Sequence, residues 1–68
     1  MVKLELDTDR IDTRLTELDR NRAWLGRQVG VSNAVMHYIW KTRSAIRADQ
    51  ISEAVNLPLD QIVKHTEV

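Results

Sequence analysis

Residues 22–40 read RAWLGRQVGVSNAVMHYIW, and this stretch decides the fold. Leu25 and Val29 lie four apart on one predicted helix, which Gly30 stops by accepting a left-handed backbone without penalty. Ser32 caps the next helix, on which Met36, Ile39 and Trp40 share one side. Two helices that cross steeply through a short turn need apolar residues to fill the wedge between them. Leu25, Val29, Val31, Met36 and Ile39 are spaced to do so. A small residue is needed where the helices approach most closely, and Gly26 stands there.

Outward from this pair the helical signals continue. Toward the N-terminus, Asp7-Thr8-Asp9 supplies capping oxygens, and Ile11, Leu15 and Leu18 form one face of a helix running to about Asp19. Asn21 caps the helix that contains Trp24. Toward the C-terminus, Ser44 is placed to cap a fourth helix through Ala48, Ile51 and Val55, and Asn56 suits its left-handed end. Pro58 suits the first turn of a fifth helix holding Leu59, Ile62 and Val63. Residues 1–6 alternate apolar and charged, which fits a short strand or extended arm and equally a frayed terminus. A strand there needs a partner in this chain or another, because one strand cannot satisfy its own backbone groups. The expectation is an all-α, compact five-helix domain over residues 9–68, preceded by an N-terminal arm or strand at 1–8.

Sixty-eight residues make one domain, near the lower limit for a core that folds alone. The absence of cysteine excludes disulfides and thiolate ligands, and His37 and His65 are too few and too distant to suggest zinc. There is no membrane-length apolar run and no signal-peptide pattern, so the expected location is the cytoplasm. The formal net charge of zero hides a polarised chain. Residues 1–19 and 48–68 each carry a net −3, whereas Arg20, Arg22, Arg27, Lys41, Arg43 and Arg47 give residues 20–47 a net +6 with no carboxylate. Solvated faces normally mix both signs. A band of one sign is better explained by phosphate binding, since a polyanion responds to local field rather than net charge.

These residues resemble a known family. Leu25-Gly26, Gly30-Val31-Ser32, Met36 and Ile39, with the downstream Ile51-Ser-Glu-Ala-Val-Asn-Leu57-Pro-Leu59-Asp-Gln-Ile62, are similar to the Cro and phage-repressor (Xre-like) helix-turn-helix proteins. The likeness spans roughly residues 9 to 63. Two departures are the glycine at 26, where the family usually has alanine, and the Lys41-Thr42-Arg43-Ser44 linker, which lacks the usual glycine or proline. The resemblance implies a repressor-like DNA-binding domain whose third helix enters the major groove of double-stranded DNA. On this chain the implied base-reading positions are Ser32, Asn33, Ala34, His37, Tyr38 and Lys41. Asn33 can bond adenine in bidentate fashion, and Ala34 can pack on a thymine methyl. The plainer alternatives are a solvated His37 and Tyr38, and an Asn33 that only starts its helix.

Arg20, Arg22, Arg27, Arg43 and Arg47 fit phosphate contacts better than base reading, with Arg22 placed at a helix start and Arg47 in the first turn of the next helix. Trp24 and Trp40 read as core, and the acidic first helix as a solvated face turned from DNA. The implied function is a sequence-specific transcription regulator, a Cro-like repressor of phage or mobile-element type. It is expected to act as a homodimer on a palindromic operator, with dimer contacts from the fifth helix (Leu59, Ile62 and Val63), the C-terminal tail or the alternating N-terminal arm, and without cofactor, metal or small-molecule ligand. The alternative is a protein-binding adaptor on the same scaffold, such as an antitoxin, an anti-repressor, or an excision or packaging accessory factor. No catalytic constellation suggests an enzyme.

Overall fold

In the computed structural model, which describes residues 2–67, strand β1 (Val2–Leu6) leads into helix α1 (Thr8–Glu17). Asp7 makes the junction: its Oδ1 accepts from the Arg10 amide at 3.1 Å, satisfying a donor that the first helical turn leaves open. Helix α1 ends at Leu18, and Asp19 turns the chain with a left-handed φ of 57°. Asn21 then caps α2 (Arg22–Val29) through the Trp24 amide at 2.8 Å. Gly30, with φ 84°, ends that helix, and Ser32 caps α3 (Asn33–Thr42) through the Val35 amide at 3.2 Å. Helices α4 (Ala48–Val55) and α5 (Leu59–Ile62) follow, joined by Asn56 in the left-handed conformation. The chain closes with strand β2 (Val63–Glu67).

Strand β2 is the main departure from an all-helical chain. It pairs antiparallel with β1, with Leu6 opposite Val63, Glu5 opposite Lys64 and Leu4 opposite His65. Val63 therefore does not extend α5, which is a single turn; its φ of −122° and ψ of 129° are those of a strand. The alternating N-terminal residues demand a hydrogen-bonding partner, and the C-terminal segment supplies it within the same chain. The end of β1 is gripped from both sides: the Leu6 amide donates to the Arg43 carbonyl at 2.9 Å and the Asp7 amide to the Ile62 carbonyl at 2.7 Å.

The core gathers residues from β1 and all five helices: Leu6, Ile11, Leu15, Leu25, Met36, Ile39, Trp40, Ala48, Ile51, Val55 and Ile62. Leu18, Trp24, Val29 and Val31 pack on its margin. Gly26 is buried, and a Cβ there would lie 2.9 Å from Met36 Cγ, closer than carbon packing permits, and in tight contact at 3.3 Å with the Val31 carbonyl oxygen. Among the described residues no buried side-chain polar atom lacks a hydrogen-bond partner.

Two end-of-helix expectations are corrected. Ser44 does not cap α4; its hydroxyl accepts from Ile46 at 3.4 Å, and Arg47 occupies the cap position without a side-chain cap bond. Arg47 thus precedes the first turn of α4 rather than lying in it. Arg43 ends α3 in the left-handed conformation at φ 53°, a cost that glycine would avoid. Arg43→Gly is expected to stabilise the fold by about 0.5–1 kcal/mol, after the extra entropy glycine brings to the unfolded chain. Urea unfolding followed by circular dichroism measures it, and a destabilised variant would refute the strain assignment.

Candidate nucleic-acid interface

Helix α3 has one buried side and one open side. Met36, Ile39 and Trp40 are in the core, while Ser32, Asn33, Ala34, His37, Tyr38 and Lys41 are all exposed. Asn33, His37 and Lys41 follow one another at one-turn spacing, with Ala34 and Tyr38 on the adjoining row. Ser32 Oγ accepts the Val35 amide as the helix cap, so its hydroxyl retains its donor and one acceptor lone pair for an outside group. Tyr38, 63% exposed, extends its ring into solvent.

The start of α2 borders this face. Arg22, Ala23, Asn33, Met36 and His37 line one shallow depression, and Arg22, His37, Trp40 and Lys41 line its neighbour. Three polar residues from α3 and one guanidinium from α2 are therefore brought together, although Arg22 and Lys41 are far apart in sequence.

Arg22 does not stand free. Its Nε donates to Asp12 Oδ1 at 3.1 Å and its Nη2 to Asp12 Oδ2 at 2.8 Å. Trp40 Nε1 donates to the same Asp12 Oδ1 at 3.1 Å, and the Arg22 guanidinium lies 5.2 Å from the Trp40 ring centroid. The hydrogen bonds that Arg22 donates to Asp12 raise the Arg22 pKa above its usual value; burial opposes them, and the charge attraction of Asp12 adds a lesser upward effect. Arg22 is thus a fixed cation. Asp12 is the correction to a first helix with all its acids turned away: its carboxylate reaches the α2–α3 surface. The contact joins residues ten apart across a helix boundary, so no periodicity marks it.

The other cations are dispersed. Arg20 lies over the Trp24 ring at 5.2 Å, and the two line a depression with Asp19, Asn21 and Arg27. Arg27 is exposed on α2. Arg43 is exposed beyond the end of α3. Arg47 is half-buried and donates from Nη1 to Gln50 Oε1 at 3.2 Å, beside Ile46 and Asp49. The carboxylate-free band in the sequence is consequently interleaved in space with Asp12, Asp19 and Asp49. Ile46, apolar yet 82% exposed, carried no signal in the sequence that set it apart from a core residue.

The three residues expected at a dimer contact separate. Ile62 is fully buried and cannot offer its side chain to a second copy without unfolding, Val63 is half-buried at the start of β2, and Leu59 is exposed. Among the described residues no helix is long and apolar enough to cross a membrane. Comparison with protein-family models, with curated proteins and with solved structures found no match to this chain.

Proposed function

We propose that the protein is a sequence-specific double-stranded DNA-binding transcription regulator, a Cro-like repressor in which α2 and α3 act as a helix-turn-helix. The open side of α3 supports this reading most: Asn33, His37 and Lys41 are aligned and exposed beside Arg22, with Ala34 and Tyr38 on the adjoining row. Such a side presents donors and acceptors to base edges while its border presents a cation to phosphate. α3 enters the major groove, Asn33 and Ala34 near its N-terminus meet bases, and Tyr38 and Lys41 serve toward the far end. Arg20, Arg27, Arg43 and Arg47 contribute to the wider field around the groove.

One domain reads few base pairs, so the working unit is a homodimer on an inverted repeat. Exposed Leu59, with Val2 and Leu4 on β1, provides apolar surface for the second copy.

Binding selection from a randomised duplex library at near-physiological salt, with the mass of the complex recorded, tests the proposal. The expected result is an inverted repeat with half-sites about one helical turn apart, bound by two chains. Absence of any enriched sequence overturns it and favours the protein-binding adaptor. Within this docking, Arg22→Ala is expected to weaken all DNA alike and to reduce the slope of log affinity against log salt by about one unit. A change in sequence preference instead would place Arg22 on a base.

A further inference from the structure

A guanidinium presents its N–H donors in one plane, along more than one edge. In Arg22 the edge formed by Nε and Nη2 is taken by both oxygens of Asp12, and the guanidinium carbon lies over the Trp40 ring, 5.2 Å from its centroid. Among the described residues Nη1 has no hydrogen-bond partner, and the side chain remains 52% exposed. Asp12 is anchored in turn, because Trp40, a core residue 9% exposed, donates to it from Nε1. A continuous line of contacts thus runs from the core through Trp40 and Asp12 to an arginine bordering His37 and Lys41.

We propose that Asp12 is the positioning residue for Arg22, holding the guanidinium so that its free Nη1 side faces a DNA phosphate beside α3. The inference rests on the DNA-binding reading above. An arginine on a flexible stem loses rotamer freedom when it grips a phosphate, and Asp12 removes that loss beforehand. The carboxylate also repels the phosphate, but this repulsion acts whether or not Arg22 is present. A phosphate can bind the Nη1 side while the Asp12 pair stays intact, so the guanidinium bridges the two anions instead of exchanging one for the other.

A double-mutant cycle isolates the coupling, because the independent repulsion cancels. Affinities of the wild type, Asp12→Asn, Arg22→Ala and the double variant are measured on one duplex at one salt concentration. Arg22→Ala is expected to weaken binding about 5-fold in the wild-type background but less than about 2-fold when residue 12 is asparagine. Equal losses in both backgrounds overturn the inference, and a larger loss in the asparagine background shows Asp12 restraining Arg22 and overturns it too. Asparagine keeps an oxygen for Trp40 Nε1, and thermal melting checks the fold of each variant. Should Asp12→Asn fail to fold, Arg22→Lys in the wild-type background decides. Lysine keeps the charge without the fork, so an affinity lower by about 3-fold or more supports positioning and an unchanged affinity overturns it. A wild type that binds no duplex removes the DNA reading and this inference with it. Binding without coupling removes only the inference.

Discussion

Leu25→Ala is expected to leave most of the chain unfolded at room temperature. Leu25 is fully buried on α2, a helix that packs against both α3 and α4. Truncation removes apolar burial and leaves a cavity among side chains that relax only partly, at a cost of about 2–5 kcal/mol. A single core in a chain this small rarely supplies more than about 3–5 kcal/mol, so one such loss is comparable with the whole stability. Helical circular dichroism against urea measures the effect. Leu59→Ala serves as the comparison, since Leu59 is 48% exposed and its truncation should stay within about 0.5 kcal/mol. Similar losses at the two positions would contradict the packing described for α2.

Under the proposed DNA-binding function, Asn33→Ala carries the largest expected effect on recognition. Asn33 is the first residue of α3, exposed, and borders the depression that also contains Arg22 and His37. A bidentate contact with adenine is worth about 1–3 kcal/mol of discrimination, so affinity for the preferred duplex should fall about 5- to 150-fold. Affinity for unrelated duplexes should change little, and repeated selection should yield a site degenerate at one position of each half. Ser32 supplies the cap, so the loss of Asn33 should leave the helix start intact. Uniform weakening on all sequences would assign Asn33 to the backbone and move the base-reading role along α3. Arg22→Ala is the complementary control, with a uniform loss and a flatter salt dependence.

The helical body was legible because its signals are local. A cap joins residues three apart, and Asp7, Asn21 and Ser32 each bond the backbone amide that their position implies. Gly30 and Asn56 adopt the left-handed conformation suited to their chemistry. Periodicity likewise placed Ile11, Leu15, Leu25, Met36, Ile39, Ile51 and Val55, all of them core residues. Val63 and the segment after it were not legible. Their apolar and polar residues fit the end of a helix as well as a strand, and the choice is made by β1, more than fifty residues away.

Position along the chain also misled where sign and burial were concerned. The carboxylate-free band suggested an uninterrupted basic face, but folding brings Asp12 onto Arg22, while Asp19 and Asp49, which flank the band in the sequence, stay beside Arg20 and Arg47. Ile62 looked available to a second copy and is sealed in the core, whereas Ile46, equally apolar, is exposed. Arg43 adopts a left-handed turn that its side chain does not favour, because its carbonyl must meet the Leu6 amide.

The amino-acid sequence by itself determined where most helices begin and end and which of their faces are apolar, since caps and periodicity act between residues a few positions apart. Only the tertiary structure decided the β1–β2 pairing, the burial of Ile62 and the Trp40–Asp12–Arg22 contact. Each of these joins groups whose proximity exists only after the chain has closed, and no local preference anticipates it.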